Sequence, residues 1–162
     1  MKKWLVIGLC MVFLSGCAAE ETFETVADEQ VQSVSAPLRQ LQVELPEEAA
    51  APASESESGT LYQCDGYEIM LQTMESGDLN STIQSVSGYS RSYVTVMETE
   101  PAGWKRYDFV WASAGEQGDR LGKAAILDDG NYHYCVSVLG DADRVAEFEE
   151  IWERLFDSVS LS

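Results

Sequence analysis

Basic residues are few. Ten Lys and Arg stand against 28 Asp and Glu, a formal net charge of −18. Nucleic-acid binding depends on clustered Lys and Arg that displace counterions from phosphates, so no nucleic-acid partner is expected. The same charge opposes flat adsorption on anionic lipid and argues for solubility before any cation-binding role. Histidine occurs once, as His133, which leaves no two-histidine zinc site and no convincing nucleophile–base pair. None of the four cysteines forms Cys-x-x-Cys, so thiol redox catalysis is not expected. A phosphate-cradling loop is missing too: AGEQGDRLGK, residues 114–123, lacks the Walker spacing and reads as a turn entering a strand. No cofactor, metal site or catalytic set is therefore expected.

What the chain does have begins at its first residues. Lys2 and Lys3, a short apolar run and small residues before a cut site are the three regions of a secretory signal, assigned to residues 1–16. Leu14-Ser15-Gly16-Cys17 resembles the lipobox of bacterial lipoproteins. That resemblance implies cleavage after Gly16 and a diacylglyceryl thioether on Cys17, which becomes the acylated N-terminus. Each buried methylene adds about 0.8 kcal/mol, and several acyl chains hold firmly where one is marginal. The expected placement is the extracytoplasmic face of a cell membrane, anchored by lipid. Losing Lys2 and Lys3 takes the charge from −18 to −20, so the folded part should stand off the surface that holds its terminus.

Outside the cytoplasm, Cys64 and Cys135 can oxidise and form the plausible disulfide pair. Closing that loop would stabilise the fold by about 4 kcal/mol in the chain-entropy model. Two buried free thiols are the alternative, because spacing alone does not establish proximity.

Residues 17–60 read as a lipidated terminus followed by a flexible acidic linker. From residue 18 to 60 there are ten acids, a single Arg39 and no lysine, too little apolar surface to fold alone. A coil of that length averages about 35–40 Å end to end. Within it Val31, Val34, Leu38, Leu41 and Leu45 recur at three- and four-residue spacing, so a short docking helix over 36–45 is the alternative to an unstructured stretch.

Residues 61–162 suffice for one core. LYQCDGYEIML, residues 61–71, carries Asp65-Gly66 between alternating apolar residues, a hairpin signal. An antiparallel meander is expected over 92–139, with Tyr107, Phe109 and Trp111 on one face of their strand and Tyr132, Tyr134, Val136 and Val138 together on theirs. Asp128-Asp129-Gly130-Asn131 joins the last two strands as a turn, since the remaining oxygen ligands of a calcium loop are absent. One helix is expected near 79–87, capped by Asp78 and stopped by Gly88. A second, over 141–156, aligns Val145, Phe148, Trp152 and Leu155, with Asp141 or Asp143 as cap. A short strand ends the order. The fold class is α+β: a mainly antiparallel sheet flanked by two helices, preceded by a disordered acidic linker.

That order and the tail YHYCVSVLGDAD…LFDSVSL resemble the PsbP-like superfamily. The resemblance implies a non-enzymatic adaptor or accessory module, of a class that also occurs among bacterial lipoproteins. The expected function is accordingly a membrane-anchored binding module that meets another cell-envelope protein. The alternative is a small-ligand carrier whose cleft is lined by Tyr107, Phe109, Trp111, Tyr132, Tyr134 and Trp152, residues that otherwise form core. A hydrolase, using Asp141 and Asp143 or His133, is the third reading and the least supported. An enclosed apolar pocket favours the carrier, an exposed apolar patch the adaptor, and a convergent set of perturbed acids the enzyme.

Overall fold

Alternation of apolar and polar side chains builds the sheet strand by strand. The computed structural model of the chain describes residues 36–101, 103–115 and 118–162. Their elements run β1 Leu41–Gln42, β2 Ser54–Ser56, β3 Gly59–Gln63, β4 Tyr67–Glu75, α1 Leu79–Ser87, β5 Val96–Thr99, β6 Lys105–Gly115, β7 Gly118–Asp128, β8 Tyr132–Asp141, α2 Val145–Ser158 and β9 Ser160–Leu161. The expected signal peptide 1–16, the acylated Cys17 and the linker residues up to 35 lie outside the described residues.

Seven strands form one antiparallel sheet in the order β2-β3-β4-β8-β7-β6-β5. Hairpins supply most of the neighbours. The exception is β4 against β8, from Tyr67↔Gly140 to Glu75↔Tyr132, which closes the first hairpin onto the end of the meander. The α+β class is as the sequence indicates, with a helix on each face of the sheet.

The caps of α1 sit where the sequence places them. The Asp78 carboxylate accepts from the Asn80 N–H at 3.2 Å, and Gly88, at φ 79°, donates back to Gln84. A left-handed residue there favours glycine. The second helix differs at its start: a 3₁₀ turn over Ala142–Arg144 leads into α2, and neither Asp141 nor Asp143 caps it through its side chain.

Each face of the sheet has its own core. On the α2 side, Phe148, Trp152, Leu155 and Phe156 pack on Tyr67, Ile69, Ala125, Leu127, Tyr134, Val136 and Val138. On the α1 side, Ile83 packs on Tyr107, Phe109, Trp111, Ala124, Ile126 and Cys135. Large indoles need room at both. A Cβ on Gly122, the cross-strand partner of Trp111, would fall inside that indole. One on Gly140 would come within 2.9 Å of the Trp152 ring.

The folded unit begins at residue 36, which corrects the linker boundary at 60. Leu41 pairs with Leu161 and Gln42 with Ser160, joining β1 to β9. Gln40 and Ser162 exchange backbone hydrogen bonds at 3.1 Å, and the Arg39 N–H donates to the Tyr134 hydroxyl at 2.8 Å. Residues 36–45 therefore form no helix. The period that matters is two: Leu41, Val43 and Leu45 all pack against the α2-side core. Farther on, β2 is an edge strand paired with β3, exposed along its length. A strand with water on both sides carries no apolar signal, and its serines and glutamates look like spacer.

Candidate functional site

Helix α2 does not cover its whole face of the sheet. Its stripe rests on β4, β8 and β7, while the outward-facing residues of β6 on that side, Val110, Ala112 and Ala114, remain exposed. Between helix and sheet runs an open trough of about 340 Å³. Val110, Leu121 and the edge of Trp152 form its floor, and Val145 with Ala146 form the helix wall. Val110 is 53% exposed. Met97, 62% exposed, lies on the same face by the register that pairs it with Asp108. Apolar side chains left in water on a sheet margin are the kind of surface that marks a binding site.

Charge frames the trough. Glu149 and Glu153, one turn apart on α2, line its outer rim, and neither carboxylate has a polar partner among the described residues. Three cations near the trough are already engaged. Arg106 forms a two-bond pair with Asp108, and Arg144 bonds Asp65 and Glu147, which hold its guanidinium above its ordinary value. Lys123 lies on the trough's sheet side with its ammonium 4.7 Å from the Phe156 ring centre, a cation–π contact that holds it inward.

The six candidate ligand-facing aromatics do not share a cleft. Tyr107, Phe109 and Trp111 are buried on the α1 side, whereas Tyr134 and Trp152 are buried and Tyr132 half-buried on the α2 side. The sheet separates the two groups. Only Trp152 borders the trough, so the combined aromatic cleft is corrected to core packing plus one indole edge. Strand alternation explains it: β6 and β8 present their aromatic rows to opposite faces.

The cysteine pair is corrected in the same way. Cys64 and Cys135 are both free thiols. Cys64 packs against the α2-side core and Cys135 within the α1-side core. Sulfurs on opposite faces of a sheet do not meet the geometry of a bridge. Burial pushes the Cys135 thiol up to about 12, which leaves it protonated and inert. Burial also raises Cys64, with Tyr67 opposing and Glu48 adding to the rise.

His133 lies on the face opposite Tyr132 and Tyr134, as alternation requires, and it is buried. Its Nδ1 meets the Thr82 hydroxyl at 2.7 Å; its Nε2 faces Ser76 Oγ at 3.3 Å and Asp128 Oδ2 at 3.6 Å. A hydroxyl, an imidazole and a carboxylate in series invite comparison with a nucleophile–base–acid chain. Thr82 and His133 are both sealed, however, and no described hollow reaches them. The network fastens α1 to β8 and the β7–β8 turn. That turn is as expected: Asp129 Oδ1 accepts the N–H groups of Asn131 and Tyr132 at 2.9 Å. Burial would raise the Asp129 carboxyl, but those two bonds, the Tyr134 hydroxyl and Arg39 together hold it below 3.8.

Asp141 and Asp143 border a wide, water-open hollow with Asp119. Asp141 lies 3.9 Å from Arg120, and no group of potential metal ligands converges among the described residues.

No protein-family model matches the chain, and no curated protein matches it. Its fold is similar to the crystal structure of LpqN, involved in cell envelope biogenesis of Mycobacterium tuberculosis, with a TM-score of 0.54. The alignment covers 80% of this chain and 87% of that one at 8% identity, a likeness of fold alone. The trough at α2 was not legible as a site. Its signals were small: a valine among the polar positions of β6, and an alanine beside two glutamates on the solvent side of α2.

Proposed function

We propose that the protein is a lipid-anchored accessory module of the cell envelope, held by Cys17 at the extracytoplasmic face and acting through binding to another envelope protein. The observation that carries this reading is the open apolar margin beside α2, with Val110 half in water. An adaptor exposes such a surface, whereas a carrier encloses its ligand and a hydrolase gathers activated groups in a cleft. The lipobox-like Leu14-Ser15-Gly16-Cys17 supports the tether, and the PsbP-like order of elements supports a non-enzymatic role. The fold shared with LpqN, itself involved in cell envelope biogenesis, is compatible with the same setting.

Intact-mass analysis of the membrane fraction tests the tether. The expected chain begins at an acylated Cys17, and Cys17→Ser should release the protein into the soluble fraction. An unacylated wild-type chain recovered from cytosol with Met1 in place would remove the envelope reading.

A further inference from the structure

We infer that the trough between α2 and the β6–β7 margin binds a short partner segment that combines apolar and basic side chains. This names the docking site and partner chemistry within the accessory-module reading and rests on it.

The floor and the rim argue separately for the two halves of that chemistry. Val110, Leu121 and Trp152 offer apolar surface in an open channel, suited to side chains presented by a peptide backbone laid along it. At the rim, Glu149 and Glu153 stand exposed and unpaired among the described residues while neighbouring carboxylates hold cations. Two like charges one turn apart on a helix repel each other weakly. An incoming lysine or arginine relieves that repulsion and gains two charge-assisted contacts. The acidic chain, −18 in full and −20 without Lys2 and Lys3, directs a basic partner toward it over a Debye length.

A second copy of this chain does not fit, because it would bring the same excess of acids to the same rim. An anionic lipid is disfavoured for the same reason, and the cation on the sheet side, Lys123, is already turned onto Phe156.

The test is a titration of the full chain with a short synthetic peptide alternating leucine and lysine, followed by backbone amide shifts. Shifts are expected at Val110, Leu121 and Ala146. The double substitution Glu149→Lys, Glu153→Lys should weaken that peptide about tenfold or more. It should also let a leucine–glutamate peptide bind where the native chain rejects it. Val110→Thr, which replaces a methyl by a hydroxyl without adding charge, should weaken the leucine–lysine peptide with the fold intact, as judged by an unchanged amide spectrum elsewhere. A lysine peptide that binds the charge-swapped and native chains equally overturns the proposal. So does saturation of the trough by phosphatidylglycerol vesicles in preference to the peptide. Either result leaves the Cys17 tether standing, since acylation and fractionation are read independently.

Discussion

The two faces of one sheet solve the same packing problem differently. Under α1, a nine-residue helix lays Ile83 on the aromatic row of β6, and the interior includes a polar chain, Thr82–His133–Asp128. Under α2, a fourteen-residue helix buries four large side chains with β1 and β9 packed beside it, yet leaves the β6 margin open. The α1 side buries the chemically versatile groups, Thr82 and His133, beside a small hollow of about 190 Å³ lined by Leu61, Met70, Val86 and Leu139, whereas the α2 side leaves the wider apolar trough in water. Burial, more than residue type, decides which of these groups solvent or a partner can reach.

Removing the main anchor of the open face should have the largest effect. Trp152→Ala is expected to destabilise the fold by about 3–5 kcal/mol in urea unfolding, from lost transfer energy plus the cavity left over Gly140 and Tyr67. On the α1 face, Ile83→Ala should remove about 2–4 kcal/mol, because this fully buried side chain is smaller than the indole and leaves a smaller cavity. Thr82→Val isolates the smaller polar effect. It leaves His133 Nδ1 unpaired in the core and should reduce stability by about 1–3 kcal/mol, whereas Ser76→Ala should do less because Asp128 remains at Nε2.

Asp129 ties the turn between the two faces to the N-terminal segment through Tyr134 and Arg39. Its carboxyl is held below 3.8 in the fold, so its ionised form stabilises the native state above that pH. The contribution is lost as pH falls through the lowered folded value. Asp129→Asn should accordingly be less stable than wild type at neutral pH, by about 1–2 kcal/mol, with the gap closing under strong acid in pH-stepped unfolding. The smallest stability change belongs to the open margin: Val110→Thr should stay within about 0.5 kcal/mol of wild type, although it makes the floor of the proposed docking surface more polar.

The sequence anticipated elements whose signals are local. Asp78 and Gly88 bracket α1, Asp65-Gly66 and the Asp128–Asn131 turn mark hairpins, and the stripe from Val145 to Leu155 defines α2, because caps, turns and periodicity are read within a few residues. What escaped it depended on distant partners. Leu41 becomes a strand residue only because Leu161 returns to meet it, and Ser54–Ser56 because β3 offers an edge. Cys64 and Cys135 are equally placed in a list of residues, yet a sheet lies between them. The trough was hidden for a further reason: it arises from where α2 fails to reach, and a helix stripe says which residues are covered without saying what stays bare beside them.

Site-specific photo-crosslinking from position 110 in the cells that make the protein, with position 55 on the exposed β2 edge as reference, tests the docking claim most directly. A discrete protein adduct is expected at 110, absent at 55, whose crosslinked peptide contains apolar residues together with Lys or Arg. A lipid adduct at 110, or a protein adduct at 55 alone, would contradict the docking claim.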